Sequence, residues 1–513
     1  MATMSIPTQA PEPQEADGPV IPSLLFDNRT DYDALHFDTL DQHDQAFHVI
    51  VAKIGYRLGA CNALGEAPLI ALEEAAEISA EDQYYEDNVA YSVRQESDLA
   101  PYKPHCDVIV NATAHAPQGK PARHFAVRLR VHNSATPATL PEAPRGLNPL
   151  QDPSVKEVAQ WQHAVNYAQA HPIPGALLLD KTLSISGARH FRKKAWPFRL
   201  FWWGVKWASL WIIRRNPWKL TAPQKLTELP LRYEHAFGGE CRINLEDKAA
   251  KRIPKKQQLS PEQQAQHPEQ PAPIAHTVSE YNPLGLGYAE AWYLKATQLK
   301  RIPAPQIESR DSPISAKLFW QVQNGKLKHA QRPTAFAPAG MGIVGRAWLP
   351  RRALVGHFPV KSHWADDEVP RLPEDFDFRY WNSAPSDQQC VHLHGAERFT
   401  LTNLCAPDAA FAGADARGNT EVRFTLPRQS LFILAASIEG AASIHTLDID
   451  SVVIDLEAGR VDLVWRICLA ADGELHEARL LHARDAAQLQ RLQDLQTPPA
   501  PKSQAADSRP TQS

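Results

Sequence analysis

Ser451-Val452-Val453-Ile454-Asp455-Leu456 and Arg460-Val461-Asp462-Leu463-Val464-Trp465, joined by Glu457-Ala458-Gly459, decide the fold class of this chain. Both runs are rich in strand-forming residues, and a short link containing Gly between such runs is the signature of a β-hairpin. The same two-fold rhythm recurs in Phe125-Ala126-Val127-Arg128-Leu129-Arg130-Val131, where apolar residues alternate with small or basic ones. A half-buried strand requires that alternation. Glu421-Val422-Arg423-Phe424-Thr425-Leu426 repeats it. Long helices are disfavoured because 43 prolines are spread through the 513 residues, each lacking an amide donor and crowding the preceding turn. The expected fold is mainly β, a β-rich α+β chain of antiparallel sheets with a sandwich as one arrangement. Peripheral helices are expected in insertions and at the C-terminus.

The length corresponds to roughly two to four domain-sized units. Residues 1–20, rich in Pro, Ala, Gln and acid, read as a disordered arm, and residues 497–513 as a disordered tail. Between them stand a β-rich region over 21–470 and a C-terminal helical segment over 471–496. Insertions are expected at 141–170 and 181–225, with a loop at 245–280 whose Arg252–Pro273 part is rich in Lys, Gln and Pro. Helical spacing shows around Ser154–Ala170 and Ala486–Leu495.

An apolar fraction of 43%, with 13 Trp and 17 Phe, is ample for a buried core. A net charge of -4 gives no general case for nucleic acid. Six cysteines (Cys61, Cys106, Cys241, Cys390, Cys405, Cys468) are scattered and never spaced as CxxC, which suits a reducing cytoplasm. The first residues carry prolines and acids instead of a basic stretch followed by an apolar run, so a secretory signal is not expected. The expected location is cytoplasmic.

Several stretches could carry chemistry. In Pro370-Arg371-Leu372-Pro373-Glu374-Asp375-Phe376-Asp377-Phe378-Arg379-Tyr380-Trp381-Asn382-Ser383-Ala384-Pro385-Ser386-Asp387-Gln388-Gln389, an extended Asp375–Tyr380 would point Asp375, Asp377 and Arg379 one way. Phe376, Phe378 and Tyr380 would point the other. Glu374, Asp375, Asp377 and Asp387 could supply an acid/base pair for a hydrolase, but with no nucleophile beside them a structural ion pair to Arg379 is the more natural reading. Asp98–Asp107, with Pro101, reads as a rigid turn in which Lys103 and Asp107 pair or cap. In Pro230–Gly239, Arg232 and Glu234 would alternate with Leu231 and Tyr233, and Gly238-Gly239 permits a turn or close backbone approach. Cys390, His392 and His394 would share a face if their segment is a strand, and those ligand types suit zinc. No fourth ligand follows from spacing, so a polar strand face is expected and no metal or other cofactor.

The insertion Lys181–Lys225 contains Trp196, Trp202, Trp203, Trp207, Trp211 and Trp218 among basic residues and no Asp or Glu. Trp203, Trp207 and Trp211 would share one helical face. Arg199 and Lys206 interrupt the apolar run, which is too short and too charged for a spanning helix. Three readings stay open: a docking surface for a partner, a helix on a membrane surface, and a helix packed on the chain's own core. Trp202, Trp203, Trp207, Trp211, Arg199 and Lys206 are the partner-binding candidates. The sequence contains no GxxxxGK[ST], GxSxG or HExxH motif and no strand-linked GxGxxG.

A run of strings in fixed order carries a resemblance. They are Val51-Ala52-Lys53-Ile54-Gly55-Tyr56, Ser97–Val108, Ala116-Pro117-Gln118-Gly119-Lys120-Pro121, Pro230–Gly239, Asn282-Pro283-Leu284-Gly285, Pro338-Ala339-Gly340-Met341-Gly342, Pro370–Gln389 and Leu463-Val464-Trp465-Arg466. Together they resemble the bacterial family called domain of unknown function 2169 over roughly residues 22 to 470. Ala52-Lys53-Ile54 departs from the family's usual VKG, Gln118 stands where Gly is common, and a long insertion precedes Pro230.

The resemblance implies a non-enzymatic adaptor or chaperone of the type VI secretion system. Such a protein binds a cognate effector and helps load it onto the VgrG or PAAR spike, with no nucleic acid as partner. It implies no catalytic residues. Its signature positions, expected to be structural, are Pro101, Lys103, Asp107, Tyr233, Glu234, Phe237, Gly238, Gly239, Asp375, Asp377, Arg379, Pro385, Asp387 and Gln388. The alternatives are a hydrolase acting through Glu374–Asp387 and a membrane-peripheral module acting through the Trp-rich insertion.

Overall fold

The hairpin forms as its sequence predicts, with Asp448–Asp455 antiparallel to Arg460–Ala470. In a computed structural model, residues 21–133, 175–194, 216–265, 273–324, 326–327, 332–357, 372–471 and 473–483 are described. The hairpin lies inside a seven-stranded sheet, whose order is Asp33–Leu40, Ala46–Leu58, Arg460–Ala470, Asp448–Asp455, Cys106–Asn111 and Gln389–Cys390, with Leu69–Ala71 joined to Ala46–Leu58. Strands in the middle of a covered sheet bury both faces, so their sequences run apolar without alternation. Val49, Ile50, Val51 and Ala52 are accordingly all buried.

A six-stranded antiparallel sheet runs Ile307–Ser309, Leu177–Ser186, His124–His132, Arg398–Thr402, Thr420–Thr425 and Gly413–Ala414. There the predicted alternation holds, with Phe125, Val127, Leu129 and Val131 buried. A four-stranded sheet runs Leu25–Asn28, Leu475–Ala483, Ser430–Ser437 and Ala442–Thr446. One continuous apolar core joins the three sheets, drawing Ile50 and Ile54 from the first, Leu129 and Phe399 from the second, and Ile433 and Leu480 from the third. Phe399 and Phe424 stack in it with ring centroids 5.0 Å apart. The chain is therefore mainly β and layered around a common core, as expected. Parallel pairing enters where distant segments meet, at Cys106–Asn111 with Asp448–Asp455 and at Leu25–Asn28 with Leu475–Ala483.

A smaller unit has its own core. Trp218–Leu220, Arg189–Lys193 and Arg301–Ala304 form a three-stranded sheet. Phe191 and Trp218 pack on Phe319 of the helix Ala316–Gln323, whose first turn is capped by Ser315 Oγ accepting from the Leu318 amide.

Three expected boundaries are corrected. The segment 471–496 is not helical at its start, because Leu475–Ala483 is a strand hydrogen-bonded on both sides. Ala478 and Leu480, two residues apart, are both fully buried, and that spacing fits a strand and not a helix face. The insertion 181–225 is scaffold at both ends, since Leu177–Ser186, Arg189–Lys193 and Trp218–Leu220 are strands. Its unusual composition hid two of them. The loop 245–280 contains the strand Pro273–Val278, paired with Glu240–Asn244, and Ala250, Ile253 and Ala275 pack with Trp292 in a further small core. The arm 1–20, the insertion 141–170 with its helical spacing at Ser154–Ala170, the spacing at Ala486–Leu495 and the tail 497–513 lie outside the described residues.

Among the described residues no helix is long and apolar enough to cross a membrane. Leu129→Ala, at 0% exposure in the shared core, is expected to cost about 2–5 kcal/mol through lost burial and a residual cavity. Val391→Ala, at 63% exposure, should stay within about 0.5 kcal/mol. Urea denaturation of the two variants beside the parent checks both.

Candidate functional site

The Cys106–Asn111 strand carries a carboxylate, Asp107, into the interior at 0% exposure. A buried carboxylate is tolerated only when its oxygens are fully engaged. Lys103 Nζ donates to Asp107 Oδ2 at 3.0 Å, which is the expected pair. The Ser383 amide donates to the same oxygen at 2.9 Å, while Oδ1 accepts from the Ala384 amide at 3.2 Å and Asn382 Nδ2 at 3.1 Å. Lys103 Nζ also donates to Ser451 Oγ at 2.8 Å. One carboxylate thus fastens the Asp98–Asp107 turn, the Asn382-Ser383-Ala384 stretch and the central hairpin. Burial works against the Lys103 ammonium, but Asp107 and Asp450 outweigh it and raise its pKa.

Further signature residues extend this clasp. Gln388 Nε2 donates to the Met341 carbonyl at 2.7 Å and also to the Val108 carbonyl. Tyr233 is buried, with its hydroxyl donating to the Gly342 carbonyl at 3.0 Å and its ring edge-on to Trp348. Gly340 lies against that ring, where a Cβ would come within 2.4 Å of it. At Gly239, φ is +105° and a Cβ would stand 2.3 Å from the Gly285 carbonyl, so only glycine fits. Strings far apart in sequence therefore interlock in space.

One local expectation holds and one is corrected. Leu231 and Tyr233 are buried while Arg232 and Glu234 are partly exposed, so the alternation is present although Tyr233–His235 is a 3-10 turn. The Glu234 carboxylate accepts from the Ser92 amide and hydroxyl, each at 2.7 Å. Asp375–Tyr380 is not extended, because Phe378–Trp381 is a 3-10 turn capped by Asp377, which accepts from the Arg379 amide at 2.9 Å. The turn gathers Phe378, Tyr380 and Trp381 around Phe376, at centroid distances of 5.3, 5.7 and 6.2 Å. Aromatic packing and the cap outweigh the extended preference that alternation suggested. Arg379 pairs with Asp377 as expected, whereas Asp375 accepts from the His357 amide at 2.7 Å instead of from Arg379. Hydrogen bonds from Arg379 and His357 hold Asp377 and Asp375 below the usual carboxylate range. A general acid needs the opposite shift.

The strand containing Cys390 ends there, so Cys390, His392 and His394 do not share a strand face. Cys390 stands opposite Cys106, His392 Nε2 lies 2.8 Å from the Lys103 carbonyl, and the His394 amide donates to Glu397. The chain must turn at this point to leave the short edge strand and reach Arg398–Thr402.

Beside the clasp lies a cleft of about 640 Å³. Its apolar wall includes Leu183, Ile307, Ile314, Val344 and Pro385, and Lys181, Glu308, Arg379 and Asp387 add polar groups. Lys181 Nζ lies 2.6 Å from Asp387 Oδ1; its side chain is 3% exposed and that of Asp387 61%. Burial lowers the Lys181 pKa, with Asp387 opposing. A surface that joins an apolar wall to a rim of both charges can hold an amphipathic segment of another molecule. The partner-binding candidates Arg199, Trp202, Trp203, Lys206, Trp207 and Trp211 lie outside the described residues. The strands on either side of them are antiparallel neighbours, with Lys193 opposite Trp218.

Sequence reasoning missed Asn382, Ser383, Glu96 and Arg351. Arg351 donates to Glu96, to the Val344 carbonyl and twice to the Tyr380 carbonyl, the last pair at 3.0 and 2.8 Å. A buried arginine on the four-residue helix Leu349–Arg352 leaves no periodic signal to find. Burial pushes the Glu96 carboxyl up, but Arg351 and Arg346 outweigh it and leave its pKa lowered. A lowered folded-state pKa contributes stability above the unfolded value of about 4.3, lost as pH falls through the folded value. Glu96→Gln is therefore expected to flatten the loss of Tm below about pH 4.3, read by thermal melts across an acid series. Asp107→Ala, which strands Lys103 inside, should cost about 3–5 kcal/mol in urea denaturation.

No curated protein and no solved structure matches the chain. A family model described as an uncharacterized protein conserved in bacteria, DUF2169, matches residues 43–139 and 153–466. That match takes in the turn at Asp98–Asp107, the clasp around Asp107 and the central hairpin, and the chain belongs to this bacterial family.

Proposed function

We propose that the chain is a non-enzymatic adaptor or chaperone of a type VI secretion system, acting in the cytoplasm. It binds one cognate effector, covers apolar surface that would otherwise aggregate, and presents the effector to the VgrG or PAAR spike. The observation that carries this reading is the inward use of several of the family's marks. The Asp107 carboxylate, the Gln388 amide nitrogen and the Tyr233 hydroxyl bond to neighbouring segments, and all three residues are buried. A shared set of residues used for scaffold leaves recognition to parts that differ between members. In this chain recognition is assigned to the Trp-rich insertion, which departs from and returns to paired strands, and to the cleft beside Asp387.

Binding that favours the client's folded state stabilises it by mass action, about 2.7 kcal/mol when the adaptor stands at 100 times its Kd. Six free cysteines, four of them buried, accord with a reducing compartment. Asp375 and Asp377, which an acid-catalysed hydrolase would use, are committed to a loop contact and a helix cap.

Co-expression with the product of the neighbouring effector-like gene, followed by size-exclusion chromatography, tests the proposal. Co-elution is expected, with the client soluble only when both are present. Replacing Trp203, Trp207 and Trp211 with Ala should abolish co-elution while leaving the adaptor's own melting temperature unchanged. Separate elution of an independently soluble client, with no retention by VgrG or PAAR, would overturn it.

A further inference from the structure

The outermost strand of the seven-stranded sheet, Asp33–Leu40, pairs antiparallel with Ala46–Leu58 so that Asp38 stands directly opposite His48. His36 lies two residues before Asp38 and so on the same face. Three ligand-type atoms converge there. His48 Nδ1 is 2.7 Å from Asp38 Oδ1, His36 Nε2 is 3.1 Å from the same oxygen, and the two ring nitrogens are 3.3 Å apart. Among the described residues no other group of three His, Cys, Asp or Glu residues brings its ligand atoms so close.

We propose that His36, Asp38 and His48 form a binding site for a divalent transition metal ion of the zinc class. Zinc bonds of about 2.0–2.1 Å at the tetrahedral angle set neighbouring ligand atoms roughly 3.3 Å apart. The triangle with edges 2.7, 3.1 and 3.3 Å has a circumradius of about 1.8 Å. A point about 2.0–2.1 Å from all three atoms therefore exists, roughly 1 Å off their plane. Two imidazoles and one carboxylate are a ligand set that suits zinc and, with open positions, ferrous iron.

Burial differs usefully across the three. The side chain of His48 is 1% exposed, that of His36 16% and that of Asp38 35%, so one flank of the site is anchored in the sheet and the other meets solvent. His48 Nε2 has no hydrogen-bond partner, so nothing on that side of the ring fixes which nitrogen carries the proton. In the metal-free alternative one ring nitrogen of each histidine donates to Asp38 Oδ1. His36 and Asp38 precede residue 43, where the family match begins, so the site is not implied by family membership. It stands or falls apart from the adaptor reading.

The test uses the full-length chain, stripped with chelator and dialysed, then titrated with ZnCl₂ by calorimetry and with CoCl₂ by visible absorption. About one ion per chain is expected, with cobalt bands characteristic of nitrogen and oxygen ligation. His36→Gln and Asp38→Asn should each weaken zinc by more than about tenfold, the loss that removing even an outer partner of a metal ligand can cause. Both positions lie on the edge strand, and the zinc-free melting temperature of each variant shows that it folds. Asp38→Asn keeps an acceptor for both rings, so it separates metal binding from the metal-free network. Absence of saturable zinc binding by the parent chain, or unchanged affinity in both variants, would overturn the proposal.

Discussion

Asp107 sets a constraint that much of the remaining architecture answers. A carboxylate with no exposure needs its oxygens filled, and local sequence supplies only Lys103. The other donors, Asn382, Ser383 and Ala384, come from some 275 residues away, as the 275- to 277-residue separations of these hydrogen bonds record. Ser451 of the hairpin joins through Lys103. Removing one partner from a buried ion pair costs far more than a surface pair is worth, so this contact holds three remote segments in one register. The cleft beside Asp387 exists because the Asn382–Gln389 stretch is pinned there. Lys181 reaches its edge from the neighbouring sheet.

A second layer of the same logic surrounds the first. Arg466 pairs with Asp450 and donates to the Ala100 carbonyl. Lys53 pairs with Asp98 at 2.8 Å, and Asp98 also accepts from the Ser79 amide at 2.9 Å. Both contacts hold the turn that carries Lys103. Each of these buried charges constrains which strands lie beside it, since a wrong neighbour would leave it unpartnered at a cost of several kcal/mol. The apolar core alone, shared by three sheets, would be more permissive.

The β character was legible because alternation and β-branched runs report directly on strands with one or two buried faces. Phe125–Val131 and the Ser451–Trp465 hairpin are the plain cases. Signals failed where side-chain chemistry outweighs backbone preference. Asp377 converts an alternating stretch into a capped turn, and Glu234 does its work by reaching across to Ser92. Leu475–Ala483 was lost because its short apolar pattern fits either period until neighbouring strands select one. The pairing of Lys103 with Asp107 could be read from four-residue spacing, but Asn382 and Ser383 could not, because their role is set by tertiary approach. The grouping of His36, Asp38 and His48 left only an alternate-residue hint in sequence, its third member lying across a turn.

Lys193 and Trp218 face each other on adjacent strands although more than twenty positions separate them. The price of closing a chain between two fixed ends grows only with the logarithm of its length, about 0.6 kcal/mol for each doubling of a flexible segment. A scaffold that holds both ends of a long segment in such a doorway can accept longer, shorter or wholly different inserts without renegotiating its interior. A designer could thus graft a foreign binding element between the same two residues.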